Sequence, residues 1–112
     1  MSAPLTLNLS QGSLRFTFSA EAAQSLKASL DELMTALKSA AAQGGDTSRR
    51  TPQSSVEYRH SGEVFFEVFC NPNIWPSPFA AKVLLTLRDD RIRVTTEAEL
   101  SQIYDDVIAY LG

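Results

Sequence analysis

Apolar and polar residues alternate one by one along six short stretches of this chain, and a period of two marks strands buried on one face. Leu5, Leu7 and Leu9 alternate with Thr6, Asn8 and Ser10; Leu14, Phe16 and Phe18 alternate with Ser13, Arg15 and Thr17. Gln11-Gly12 between them predicts a hairpin turn. Further on, Val56, Tyr58 and His60 form a third stretch, closed by Ser61-Gly62, and Val64, Phe66, Val68 and Cys70 a fourth. Val83, Leu85 and Leu87 are joined through Asp89-Asp90 to Ile92 and Val94. A two-residue turn there places Leu87 opposite Ile92 and Leu85 opposite Val94.

Two stretches carry the helical period instead. Ser19 is a candidate N-cap with Glu21 in the first turn, and Leu26, Leu30, Leu33, Met34, Leu37 and Ala41 make one apolar stripe. A helix over about residues 20–42 follows, ended by Gly44-Gly45. Thr96-Glu97-Ala98-Glu99 has the spacing of a capping box, followed by Leu100, Ile103, Tyr104, Val107, Ile108 and Leu111 on one face. The order ββαββββα predicts an α+β two-layer sandwich: an antiparallel sheet with both helices packed on one face. With 112 residues the chain suits a single domain over 1–112. Residues 43–55 hold no large apolar side chain and predict a flexible internal loop.

Composition removes several function classes. Hydrophobic residues are 44% and charged residues 21% of the chain, ordinary globular usage. No apolar run approaches the length of a membrane-spanning helix, and the start of the chain does not read as a secretory signal. The expectation is a cytoplasmic protein without membrane insertion. A single cysteine and a single histidine cannot build a zinc site of the usual thiolate and imidazole kind, and no glycine-rich phosphate loop is present. No metal and no cofactor are expected. The net charge of −3 and the lack of an aromatic motif interleaved with the arginines argue against nucleic acid.

A catalytic set is equally hard to assemble. His60 is the natural general base, but adjacent Ser61 points to the opposite face of a strand. Cys70 alternates onto an apolar face, as a buried structural thiol does. No catalytic residues are assigned, and the protein is read as not an enzyme. Among the acidic residues of the last helix, Glu97 and Glu99 do not share a helical face and adjacent Asp105 and Asp106 diverge, which reads as a solvated acidic face, with a basic partner protein as the functional alternative.

The segment Asn71-Pro72-Asn73-Ile74-Trp75-Pro76-Ser77-Pro78-Phe79 is the most distinctive. Three prolines in seven residues forbid regular pairing and stiffen the loop. A rigid loop presenting Trp75, Ile74, Pro76 and Phe79 suits binding, because little freedom is lost on docking. The other reading folds Trp75 back over an open end of the core. Phe65 and Phe69 alternate onto the face that should be polar and would extend an apolar patch, unless loop 43–55 covers it. Arg88, Arg91 and Arg93 project from the last hairpin; Arg91 and Arg93 can orient an acidic partner. Arg88 and Arg91 would face each other across the turn, with Glu57, Glu67 and Asp89-Asp90 to neutralise them.

The stretch Glu63 to Leu87, with Phe-Phe-Glu-Val-Phe-Cys-Asn-Pro-Asn-Ile-Trp-Pro-Ser-Pro-Phe inside it, resembles small uncharacterised soluble proteins of cyanobacteria and plastids. The resemblance implies the cytoplasmic or stromal side and an accessory or assembly factor for photosynthetic machinery. The functional expectation is a non-enzymatic protein–protein interaction module. Its contact residues are Ile74, Trp75, Pro76, Phe79, Phe65, Phe69, Arg91 and Arg93, and its partner is another protein or a second copy in a homodimer. The alternative is a small-ligand-binding domain with a pocket between sheet and helices. The third class is an enzyme using His60.

Overall fold

A computed structural model describes residues 2–42 and 53–112. The expected loop at 43–55 and the Gly44-Gly45 helix stop therefore lie, except for 53–55, outside the described residues. The elements are β1 (Ser2–Leu9), β2 (Gly12–Ser19), α1 (Ala20–Ala41), β3 (Val56–Ser61), β4 (Phe65–Cys70), a 3-10 turn (Pro72–Ile74), β5 (Lys82–Arg88), β6 (Arg93–Glu99) and α2 (Leu100–Leu111). The class is α+β with the order read from the sequence.

The antiparallel strands are divided between two sheets. β1 and β2 form a two-stranded sheet, and β3-β4-β5-β6 form a four-stranded meander. In the first hairpin Leu5 faces Phe16, Leu7 faces Leu14 and Leu9 faces Gly12, so Ser10-Gln11 is the turn. Leu5, Leu7, Phe16 and Phe18 are buried. They join the inner face of the meander (Phe66, Val68, Val83, Leu85) and the stripes of both helices in one core. A free hairpin can share that core without pairing edge to edge, which is why the strands need not close into one sheet.

Ser19 caps α1 through its hydroxyl, which accepts the Ala22 amide at 3.1 Å. Ala23, Leu26, Leu30, Leu33 and Leu37 follow on the buried face. The Tyr58 hydroxyl donates to the Ala22 carbonyl at 3.1 Å, tying β3 to the first turn of α1. Burial pushes that phenol up to about 12. The two helices are joined at the surface by Tyr104, whose hydroxyl donates to Asp31 at 2.7 Å. Lys27 reaches the other Asp31 oxygen at 2.9 Å. α2 also holds β1: the Asn8 amide and side chain donate to Asp106 at 2.7 and 2.9 Å. The Tyr110 hydroxyl donates to the Ala3 carbonyl at 2.7 Å.

Two expectations are corrected. The Thr96–Glu99 segment is strand, not a capping box: Leu85 faces Thr96, Leu84 faces Glu97 and Lys82 faces Glu99. Pairing along β5 outweighs the local cap, and α2 starts at Leu100 with no side-chain cap. The β5–β6 connection spans Asp89–Ile92 rather than two residues, because Asp89 Oδ1 accepts the amides of Arg91 and Ile92 at 2.8 and 2.9 Å. Those two bonds hold the Asp89 carboxyl below its usual value. The register moves with the turn. Leu87 faces Val94, Arg88 faces Arg93, and Ile92 is left exposed rather than in the core.

The caps make a direct test. Ser19→Ala is expected to lower stability by about 1 kcal/mol. Glu99→Ala should change it by less than ~0.5 kcal/mol, since no cap bond is lost. Denaturant melts of the two variants give the comparison.

Asp31 supplies a pH dependence. Hydrogen bonds from Lys27 and Tyr104 hold its carboxyl below the ordinary 3.8. A carboxyl depressed in the folded state stabilises fully above its unfolded value and loses that contribution as pH falls through the folded one. The stability difference between wild type and Asp31→Asn is therefore expected to be constant at neutral pH, to begin falling near pH 3.8 and to vanish only below the lower folded value. Melts at stepped pH measure it.

Candidate interaction surface

The meander has two unlike faces because side chains alternate along each strand. The inner face carries Phe66, Val68, Cys70, Val83, Leu85 and Leu87, all buried. The outer face, away from the helices, is laid out in rows by the strand register. One end row is Ser61, Phe65, Arg88 and Arg93; the middle row is Arg59, Glu67, Thr86 and Thr95; the next is Glu57, Phe69, Leu84 and Glu97. Lys82 and Glu99 close that second end.

The 71–79 loop folds against this second end. Asn71 Oδ1 accepts the Asn73 amide at 3.0 Å and its side-chain nitrogen at 2.8 Å. Asn73 in turn clamps Gln53, accepting its amide at 2.6 Å and donating to its carbonyl at 2.8 Å. Pro72 is buried, and the turn packs on α1. These bonds fix where the next residues point. Ile74 is 59% exposed and Phe79 89% exposed.

Trp75 folds back on the core, as the second reading expects. It packs partly buried against the core, and its side chain hydrogen-bonds Cys70. The Cys70 thiol also donates to the Lys82 carbonyl at 3.4 Å. Burial pushes that thiol up to about 11, with the Trp75 bond acting in the opposite direction. The remaining surface of Trp75 lines a groove of about 190 Å³ with Phe69, Ile74, Leu84 and Glu97 among its walls. Leu84 is 41% exposed on an open sheet face and was missed from the sequence. Its signal was the run Val83-Leu84-Leu85, which gives an apolar residue to both faces of β5.

The structure thus brings Phe69, Ile74 and Trp75 together, and separates them from Phe65, Arg91 and Arg93. Phe65 lies four residues along β4 from Phe69, at the arginine end. Pro76 is exposed beside Trp75. The Arg88 guanidinium stacks on the Phe65 ring at 4.4 Å. Arg91 and Arg93 are both exposed. Three of the four acids expected to neutralise these arginines are used elsewhere, and the fourth, Asp90, is exposed in the loop beside Arg91. Glu57 and Glu67 pair with Arg59 at 3.4 and 2.8 Å, and the Asp89 carboxylate binds backbone amides.

His60 sits on the inner side of β3, edge-on to Phe18 with ring centroids 4.9 Å apart. A side chain at Gly62 would come within 2.8 Å of its Nε2. Thr17, Ser19 and Glu63 share its shallow surroundings, and Ser61 lies on the other face, opposite Phe65. The space between sheet and helices is filled by Phe66, Leu85, Leu30, Leu33 and Ile103, each at most 1% exposed. A larger depression of about 370 Å³ is lined by Glu32, Gln53, Ser54, Ser55, Val56 and Glu57. Its walls lack the apolar surface of a small-molecule site. Among the described residues, no three His, Cys, Asp or Glu side chains gather to hold a metal. No described helix is long and apolar enough to cross a membrane. Comparison with known protein families, curated proteins and solved structures gave no match.

Proposed function

We propose that the protein is a non-enzymatic protein–protein interaction module whose contact surface is the outer face of the four-stranded sheet. The observation that supports this most directly is the apolar groove where Phe69, Ile74, Trp75 and Leu84 meet. Three of the four stand on rigid strands or a hydrogen-bonded turn, so docking freezes little. Phe65 and the arginines continue the surface to the far end of the sheet. An accessory or assembly factor, the setting implied by the resemblance of the 63–87 stretch, needs a surface of this kind and no catalytic set.

Affinity capture with wild type and Ile74→Asp in parallel tests the reading. Ile74 is exposed, so the variant should melt like wild type while losing the captured partner. A stable variant that retains every wild-type partner would overturn the assignment.

A further inference from the structure

We propose that the outer face of the four-stranded sheet binds a second copy of this chain, in a two-fold face-to-face sandwich. This rests on the interaction reading above and names its partner.

The case is made by the distribution of charge. Along the strands the face carries Arg88 and Arg93 at one end and Glu57, Glu97 and Glu99 at the other, where Lys82 also stands; Asp89 and Asp90 share the loop with Arg91. Arg88 and Arg93 stand directly opposite each other in the register, and Arg91 follows in the loop beyond. Two like charges in that position destabilise a sheet. Neither makes an ion pair within the described residues: the ion pairs there are Lys27–Asp31 and Arg59 with Glu57 and Glu67. At the other end Glu97 and Glu99 are exposed, also without an ion pair among the described residues. From Arg93 to Glu97 the separation is four residues, about 13 Å along a strand.

A partner must therefore offer acid over one end, base over the other and apolar surface beside each. This face offers that pattern to itself. A two-fold axis in the plane between the copies, running across the strands at the Thr86–Thr95 row, exchanges the two end rows. Phe65 then lies over Phe69 of the second copy, Arg88 over Leu84, Arg93 over Glu97 and Arg91 over Glu99. Such an interface is isologous, so each pairing occurs twice. Stacked sheets sit about 10 Å apart and rotate by roughly 30°, which keeps the ends in register. On the crossing row Thr86 and Thr95 are uncharged, and Arg59 and Glu67, which meet their own copies there, are already paired with each other at 2.8 Å. Four strands of about seven residues give a footprint near 19 by 23 Å. That is the small end of specific interfaces, so the dimer is expected to be concentration-dependent.

Sedimentation of the full chain across a dilution series tests the proposal. Wild type should dimerise, and Arg93→Glu and Glu97→Arg should each weaken the dimer at least ~10-fold, because either places like charges over each other twice. An equimolar mixture of the two variants should recover the dimer. So should the single chain carrying both substitutions, since its ends are simply exchanged. A wild type that stays monomeric to about 1 mM overturns the proposal, as does a dimer indifferent to either reversal, or a failure of both rescues. A monomeric wild type whose Ile74→Asp variant still loses a captured partner removes the second copy and leaves the interaction surface. Failure in both experiments removes both.

Discussion

Phe66→Ala is expected to remove about 3–5 kcal/mol of folding stability, the largest single truncation effect in this chain. Phe66 is fully buried on the inner face of β4. Its ring lies 4.8 Å from Phe16, 6.1 Å from Phe18 and 6.4 Å from Tyr58. Those partners come from the free hairpin and from the edge strand β3, so one ring holds two sheets together. Its loss opens a cavity whose walls belong to separate elements and cannot close together. Denaturant unfolding should show a lower midpoint with an unchanged slope. A loss below about 1 kcal/mol would mean that the hairpin is held by the α2 contacts alone.

Trp75→Ala is expected to lower stability by roughly 2–3 kcal/mol, less than a fully buried tryptophan because one side of the ring is wet. The same substitution uncovers Cys70. With its thiol pushed up to about 11 and covered by the indole, Cys70 should react slowly with an alkylating reagent at pH 8 in wild type. The variant should react faster under conditions where it remains folded. Ile74→Ala and Phe79→Ala, both exposed, should stay within about 0.5 kcal/mol of wild type. The contrast separates what Trp75 does for the fold from what its neighbours offer a partner. Equal stability in all three variants would place Trp75 outside the core.

The parts of the fold that are periodic were legible in the sequence. Leu5, Leu7, Phe16 and Phe18 announce the first hairpin, and the stripe from Leu26 to Leu37 announces α1 together with its Ser19 cap. The misreadings have a common physical cause: a local signal competed with a long-range partner. Thr96 to Glu99 has the chemistry of a cap, but β5 offers these residues a continuous ladder from Leu85 to Lys82. Asp89-Asp90 reads as a two-residue turn, but the Asp89 side chain can bind two amides only in a longer one. The division into two sheets has no local signal at all, since hairpins look alike whether or not their edges meet.

The candidate surface was legible in part. Phe69, Ile74 and Trp75 were found because aromatic and proline residues are conspicuous; Leu84 was hidden inside an apolar run. The charge polarity of the face could not be read along the chain. Arg88 and Arg93 stand opposite each other only after the longer turn shifts the register, and Glu97 joins the face only when it is strand.

The bonds from α2 to β1 bear on how the molecule is made. Asn8 and Asp106 are 98 positions apart, and Ala3 and Tyr110 are 107 apart. A two-stranded hairpin is at best marginal by itself. At roughly 5–20 residues per second, the ribosome needs on the order of 5–20 s to deliver the residues that clamp it. Through that interval the Leu5, Leu7, Phe16 and Phe18 side chains have no finished core to enter. The hairpin is therefore completed only once α2 has been made, and a nascent chain stalled before Asp106 should present a sticky hairpin to whatever chaperone meets it.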